Sequence, residues 1–328
     1  VTGVQTCALP ICVGDAPGSN QLYGADATLS FFQNFNINTY YAQSETPGSS
    51  GNTSSYLVKV DNVVDRWGFN VERLKVGESF NPEVGFLRRV GFTRSFGQFQ
   101  FTPRPKGSRR VRKYFYRSNA DILTDPAGDL ESREVTATFR IDFQSGDQWE
   151  FEGARNYERL ESPFLIARAA GDRVSVAPGE YQFGEFRSTY FVAPHRPFTG
   201  RLNMIRGTFY DGTRTEVGFN GRVNGSSRFG LEPRIQIDWI DLPAGRFTTK
   251  LVGARIGWTL SPRMAFTGLV QYSSAASSLT SNLRFRWEYI PGSDLYVVYT
   301  DGRDSRAAGF PQLQTRSLVV KATRMLRW

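Results

Sequence analysis

Runs of about ten residues in which apolar and polar side chains alternate recur along nearly the whole of this 328-residue chain, and they limit its fold more than any other feature. The clearest case is Asn282–Asp304. Leu283, Phe285, Trp287 and Tyr289 alternate there with Asn282, Arg284, Arg286 and Glu288, and a Pro291–Asp294 turn leads into a second such run. A period of two is the period of a β-strand, so each run presents one apolar, aromatic face and one charged face. In a soluble sheet the apolar face packs on a core. In a membrane barrel it meets lipid while the charged face lines a polar interior.

Seventeen runs fit this template, near 22–32, 35–43, 54–62, 66–75, 91–103, 109–119, 132–143, 148–159, 181–192, 200–209, 213–222, 228–240, 247–259, 263–272, 279–290, 294–301 and 315–328. In 228–240, Phe229, Leu231, Ile235, Ile237 and Trp239 oppose Arg228, Glu232, Arg234, Gln236 and Asp238. In 132–143, Val135, Ala137, Phe139, Ile141 and Phe143 oppose Thr136, Thr138, Arg140 and Asp142, and in 247–259 the apolar row is Val252, Ala254, Ile256 and Trp258. Strands of this length suit a tilted crossing of a hydrocarbon layer and exceed the usual length in soluble sheets. Helical periodicity is absent.

The breaks between runs are sorted by length. Those at 103–107, 144–147, 224–226, 261–263 and 291–294 are short, whereas 43–53, 76–90, 120–131, 161–180 and 302–314 are long. Short turns at one end and long loops at the other are the habit of outer-membrane barrels. The last run, Leu318–Trp328, places Leu318, Val320, Ala322, Leu326 and Trp328 on one face, interrupted by Arg324, and ends in an aromatic residue as outer-membrane barrels do. With Trp328 on the periplasmic side, 302–314 is extracellular and strand 22–32 descends, so an ascending strand is expected before it. The fold class predicted is all-β: an antiparallel transmembrane up-and-down β-barrel of about 16–18 strands, N-terminally truncated.

Residues 1–12 stand apart. Val1–Ile11 is what a widely used sequencing adapter yields when translated in one frame, and we set the segment aside from fold reasoning. The organisation expected is therefore adapter at 1–12, loop at 13–21 and barrel at 22–328. Cys7 and Cys12, the only cysteines, fall in that segment, which leaves no thiol for disulfides, catalysis or metal ligation.

Charge decides between partners. The net charge is +9, but 34 of the 40 basic residues are arginines, spread over almost every strand. Phosphate tracking along a nucleic acid requires a concentrated stripe, so nucleic acid is excluded as a partner. Arginine suits dense networks with Asp and Glu in a polar lumen, and the phosphates of surface lipids. No apolar run is long enough for a membrane helix.

Three strings, 22–48 (LYGADATLSFFQNFNINTYYAQSETPG), 65–89 (DRWGFNVERLKVGESFNPEVGFLRR) and 283–304 (LRFRWEYIPGSDLYVVYTDGRD), are more specific. They resemble the C-terminal barrel domain, of unknown function, of bacterial outer-membrane proteins that carry a family-9-like carbohydrate-binding domain upstream. The resemblance covers nearly all of the chain after residue 20. It implies a membrane-anchored channel or binding lumen for a carbohydrate-related solute, with a soluble glycan-binding domain and signal peptide preceding it. Some members are labelled membrane-associated hydrolases.

Candidate residues follow from these readings. Lumen-lining or binding positions are Arg140, Asp142, Glu232, Arg234, Asp238, Arg284, Arg286 and Glu288. The acids Glu150, Glu152, Glu232, Asp238, Glu288, Asp301 and Asp304 are expected in or near the lumen; as a close pair they could form a glycosidase dyad, and beside arginines they read as charge-paired wall. Loop candidates are Phe80, Asn81, Glu83 and Arg88, in a loop expected either to fold inward or cap the mouth or to be an ordinary surface loop, together with Asp301, Arg303 and Asp304. Catalysis has only two candidates, the single histidine His195 as a base and Glu288, and the chain reads as a non-enzyme before it reads as a barrel-embedded hydrolase. No metal site and no cofactor is expected. Expected partners are outer-membrane lipid and lipopolysaccharide, the barrel assembly machinery and an oligosaccharide, and the expected location is the outer membrane. A soluble all-β binding protein is the remaining alternative.

Overall fold

Alternation puts the side chains of each strand on two faces and leaves its backbone groups to be paired laterally, so successive strands add to one ladder. The computed structural model describes residues 3–15, 18–83, 85–169, 172–306, 309 and 311–326. Its strands are β1 (Gly3–Asp15), β2 (Gly18–Phe31), β3 (Phe35–Glu45), β4 (Ser54–Val63), β5 (Trp67–Val76), β6 (Phe92–Phe101) and β7 (Val111–Thr124). There follow β8 (Leu130–Phe143), β9 (Gln148–Leu160), β10 (Phe164–Ala169), β11 (Asp172–Val176), β12 (Gly179–Val192) and β13 (Phe198–Phe209). The last are β14 (Gly212–Asn224), β15 (Phe229–Leu242), β16 (Gly245–Ser261), β17 (Met264–Ser273), β18 (Ser278–Ile290), β19 (Ser293–Asp304) and β20 (Gln312–Ala322). No helix forms among the described residues.

Eighteen strands form one sheet, in which each strand pairs with its neighbours in sequence and β9 pairs with β12; β10 and β11 form a separate hairpin. The fold is the all-β, antiparallel up-and-down β-barrel class predicted from the alternation. Each of the seventeen runs is a strand of this sheet.

The chain divides into two units. One comprises 1–141, 152–162 and 178–184; the other comprises 142–151, 163–177 and 185–328.

Within the first unit, Gly3–Asp15 pairs as β1 with β2 in unbroken register, from Gly3 opposite Ser30 to Asp15 opposite Gly18. This strand takes the place of the ascending strand expected before residue 22; its residues 3–12 are those read as adapter, and 13–15, like the start of β2 at Gly18, fall in the stretch 13–21 expected to be loop, which corrects that expectation. An open sheet edge offers unpaired N–H and C=O groups to any extended segment, so the pairing does not bear on where the segment came from. The loop 77–91 is tied to the β3–β4 connection: Gly77 N–H donates to Ser54 O at 2.8 Å and Ser79 N–H to Asn52 O at 3.0 Å.

In the second unit, two expectations on the connections are corrected. The 161–180 segment, read as a plain loop, holds the β10–β11 hairpin. Phe164 lies 6.4 Å from the ring of Tyr210 in the β13–β14 turn, and Val174 sits against Gly245 at the start of β16. Val174, Val176, Leu242 and Phe247 are buried there. At that same end, β13–β14 and β15–β16 are joined by two residues each and β17–β18 by four, so the sorting of loops by length does not extend to them. Their strands have grown into the loops, β16 to 17 residues. The final run also ends early. Leu318, Val320 and Ala322 share a face of β20, which stops at Ala322, and Trp328 lies outside the described residues.

Candidate functional site

Register defines one face across β13–β18 that is polar apart from a few positions such as Leu251 and Leu269. Asn203 pairs with Gly218, Gly218 with Gln236 and Gln236 with Leu251; the adjacent row runs Arg201, Asn220, Arg234, Gly253 and Gln271. A further row joins Glu232 to Arg255, Leu269 and Asn282, and the next joins Gly257 to Thr267 and Arg284. The predicted alternation therefore puts Glu232, Arg234, Asp238, Arg284, Arg286 and Glu288 on one face, as expected. The opposite face carries Leu202, Ile235, Val252, Ile256, Trp258, Phe285 and Trp287.

Towards the turn ends of this face the charges are neutralised. Near the β15–β16 turn, Arg214 donates to Asp238 Oδ1 at 2.8 Å and also to Glu216, and Asn203 Nδ2 donates to the other oxygen of Glu216 at 2.8 Å. Glu216 and Asp238 are both buried, and Gln236 donates to Asp238 at 3.2 Å. Near the β18–β19 turn, Arg286 Nε donates to Asp294 at 2.9 Å, and Glu288 accepts the N–H of Gly292 at 2.9 Å.

The middle of the face differs. Arg201, Arg234, Arg255 and Arg284 are exposed, and their side chains make no hydrogen bond or ion pair among the described residues. Arg222, 3.7 Å from Glu232, is beside them. A concavity of about 520 Å³ opens here, lined by Asn220, Arg222, Glu232, Arg234, Arg255 and Gln271, with Gly253 leaving its floor without a side chain.

Other candidates fall elsewhere. Arg140 and Arg117 lie 4.5 and 4.7 Å from the ring of buried Phe115, and Asp142 is fully buried. In loop 77–91 Phe80 is buried, and Asn81 accepts from Asn20 through its carbonyl and donates its N–H to Ser44 Oγ at 2.9 Å. Glu83, Phe86 and Arg88 are exposed, so the loop is anchored through Phe80 and Asn81 and open to solvent beyond them.

Asp301, Arg303 and Asp304 belong to β19 and not to a loop. Asp301 shares parity with Leu295, Val297 and Tyr299, which corrects its placement in the lumen. It is buried and held by Arg303 at 2.5 Å, Arg316 at 3.2 Å and Tyr299 OH at 3.1 Å.

His195 is exposed in the β12–β13 turn, next to Gly146 of the β8–β9 turn. It lies six strands along the ladder from Glu288, whose carboxylate is engaged by its own turn, so the two catalytic candidates are not brought together. The charged group that does organise those turns is Asp147. It accepts from Ala193 N–H at 2.9 Å, Ser145 at 3.0 Å, Tyr190 at 3.2 Å and Arg196 at 2.7 Å. Burial alone would raise its carboxyl, but these donors outweigh burial and hold it below the usual carboxylate range.

Sequence reading missed Arg201, Arg222 and Arg255. The signal was present, because Arg255 has the parity opposite to Val252, Ala254 and Ile256.

No protein-family model and no curated protein matches the chain. Among solved structures, a ferric enterobactin receptor mutant from Pseudomonas aeruginosa is similar over 98% of this chain and 72% of that one, at 8% identity and a TM-score of 0.40. The siderophore receptor PirA from Acinetobacter baumannii is similar over 98% of this chain and 73% of that one, at 9% identity and a TM-score of 0.37. Likenesses at these TM-scores carry no inference about what this chain binds.

Proposed function

We propose that this chain is an outer-membrane β-barrel of a Gram-negative cell, with its apolar face against lipid and lipopolysaccharide and its polar face lining a channel or binding lumen for a solute. One observation carries this reading. Large apolar side chains on the apolar face lie open: Leu202 at 52%, Ile235 at 41%, Trp258 at 49% and Leu318 at 65% exposure. A soluble sheet buries such a face under a second layer, and exposed apolar surface on this scale marks a contact with something else. Strands of ten or more residues that alternate in this way suit a bilayer as that contact.

The finer reading follows the resemblance of 22–48, 65–89 and 283–304. On that reading the solute is carbohydrate-related, the barrel anchors a glycan-binding domain, and β20 is the strand presented to the barrel assembly machinery. Heat-modifiable migration on a gel and partition into detergent test the membrane reading, and a chain that stays dispersed without detergent overturns it. Conductance in planar bilayers, blocked by an oligosaccharide, tests the lumen and its solute.

A further inference from the structure

We propose that the polar face of β13–β18 is a binding strip for an extended polyanionic solute, one carrying two or more carboxylate or phosphate groups. This rests on the reading of that face as a solute-accessible surface and adds the chemical class of what it takes.

The inference comes from how charge is distributed along the strands. The acids nearest the ends are engaged: Glu216 and Asp238 by Arg214, Asp294 by Arg286, and Glu288 by a backbone N–H. Between these pairs Arg201, Arg234, Arg255 and Arg284 stand on β13, β15, β16 and β18 with no side-chain partner among the described residues. The acid within the belt is Glu232, opposite Arg255 in register and 3.7 Å from Arg222. With Arg222 beside Glu232, the four guanidinium groups without a side-chain partner among the described residues leave a strongly positive belt.

Like charges on one wall repel, and their field favours an anion that neutralises several at once. Each planar guanidinium can grip a carboxylate or phosphate through two parallel N–H donors. Five inter-strand steps separate β13 from β18, about 24 Å along the sheet at the usual strand spacing. A single small anion covers one or two arginines of such a belt; an elongated one covers more. Asn220 and Gln271 flank Arg234 and Gly253 in the same row and can bond hydroxyl groups of the solute.

The test uses the full chain, purified in a zwitterionic detergent at low salt and titrated calorimetrically with citrate, pyrophosphate, acetate and the neutral trisaccharide maltotriose. Citrate or pyrophosphate is expected to bind at least tenfold tighter than acetate, with affinity falling as salt is added, and maltotriose is expected to bind weakly. Binding of citrate alone or pyrophosphate alone identifies which oxyanion the strip prefers. The triple variant Arg234→Gln/Arg255→Gln/Arg284→Gln should lose at least tenfold in anion affinity while keeping the heat-modifiable migration of the folded parent. Maltotriose binding as tightly as the anions, unchanged anion affinity in that folded variant, or no anion binding by the folded parent overturns the proposal. Should the variant fail to fold, Arg234→Lys, which keeps the charge but loses the fork, must weaken anion binding while leaving maltotriose unchanged; equal anion affinity also overturns it. A chain that binds anions yet disperses without detergent overturns the membrane reading and leaves the strip standing.

Discussion

The carboxylate of Asp147 and the guanidinium of Arg196 meet at 2.7 Å across two neighbouring turns, β8–β9 and β12–β13. Asp147 is 5% exposed and also accepts from Ala193 N–H, so the acid fastens one turn to the other. Gly146 serves the same contact: its φ of 83° closes the β8–β9 turn, and a Cβ there would stand 3.3 Å from the His195 ring. Replacing Asp147 with Ala strands the buried Ala193 N–H and removes the pairing with Arg196, and should cost about 1–3 kcal/mol.

The same acid sets a pH dependence. Its folded-state pKa is lowered, so its contribution is present above the unfolded carboxylate value of about 4 and is lost as pH falls through the lower folded value. Unfolding in denaturant at graded pH should show a smaller loss on acidification for Asp147→Asn than for the parent. An identical acid response in both would remove Asp147 as the source.

Neighbouring positions on β16 should respond in opposite ways. Ile256 faces the apolar side and Arg255 the polar side. Under the membrane reading Ile256→Arg places a charge in hydrocarbon and should cost about 2–4 kcal/mol if it lies near the bilayer centre. Arg255→Gln leaves a neutral polar group on a wet wall and should cost under about 1 kcal/mol. Folding into lipid vesicles, followed by denaturant titration, measures both. Equal costs would contradict the assignment of faces.

The strands and their faces were legible because parity is a local property: once Trp239 is apolar and outward, Asp238 must lie on the other face. Asp301 was legible by the same rule, sharing parity with Tyr299, but treating it as loop set the rule aside. What could not be read was partnership. Arg214 finds Asp238 and Glu216 on two different strands, and such diagonal neighbours depend on inter-strand register, which alternation leaves open. That Arg234 and Arg284 have no side-chain partner among the described residues was hidden for the same reason. The β10–β11 hairpin escaped because its strands, of 6 and 5 residues, are too short for the ten-residue template.

That hairpin depends on a small apolar contact. Val174 and Val176 are buried, with Val174 against Gly245 and Phe164 near Tyr210. Val174→Asp buries a charge with no partner in place of a methyl contact and should detach the hairpin before anything else unfolds. Limited proteolysis should then cut within 163–177 much faster than in the parent, while heat-modifiable migration persists. Protection equal to the parent would show that the hairpin is held by other contacts.

Arg214 is the counter-charge of two buried carboxylates, Glu216 and Asp238. Arg214→Met leaves two carboxylates facing each other without a counter-charge, for an expected loss of about 3–5 kcal/mol. The remedy distinguishes a charge effect from a packing effect. Adding Glu216→Gln and Asp238→Asn to Arg214→Met removes the repulsion while keeping hydrogen-bonding shape, and most of the loss should return. Denaturant unfolding of the single and triple variants reads the difference directly. A triple variant no more stable than Arg214→Met would mean that the guanidinium supports this end of the sheet through its packing against Phe209 and not through its charge.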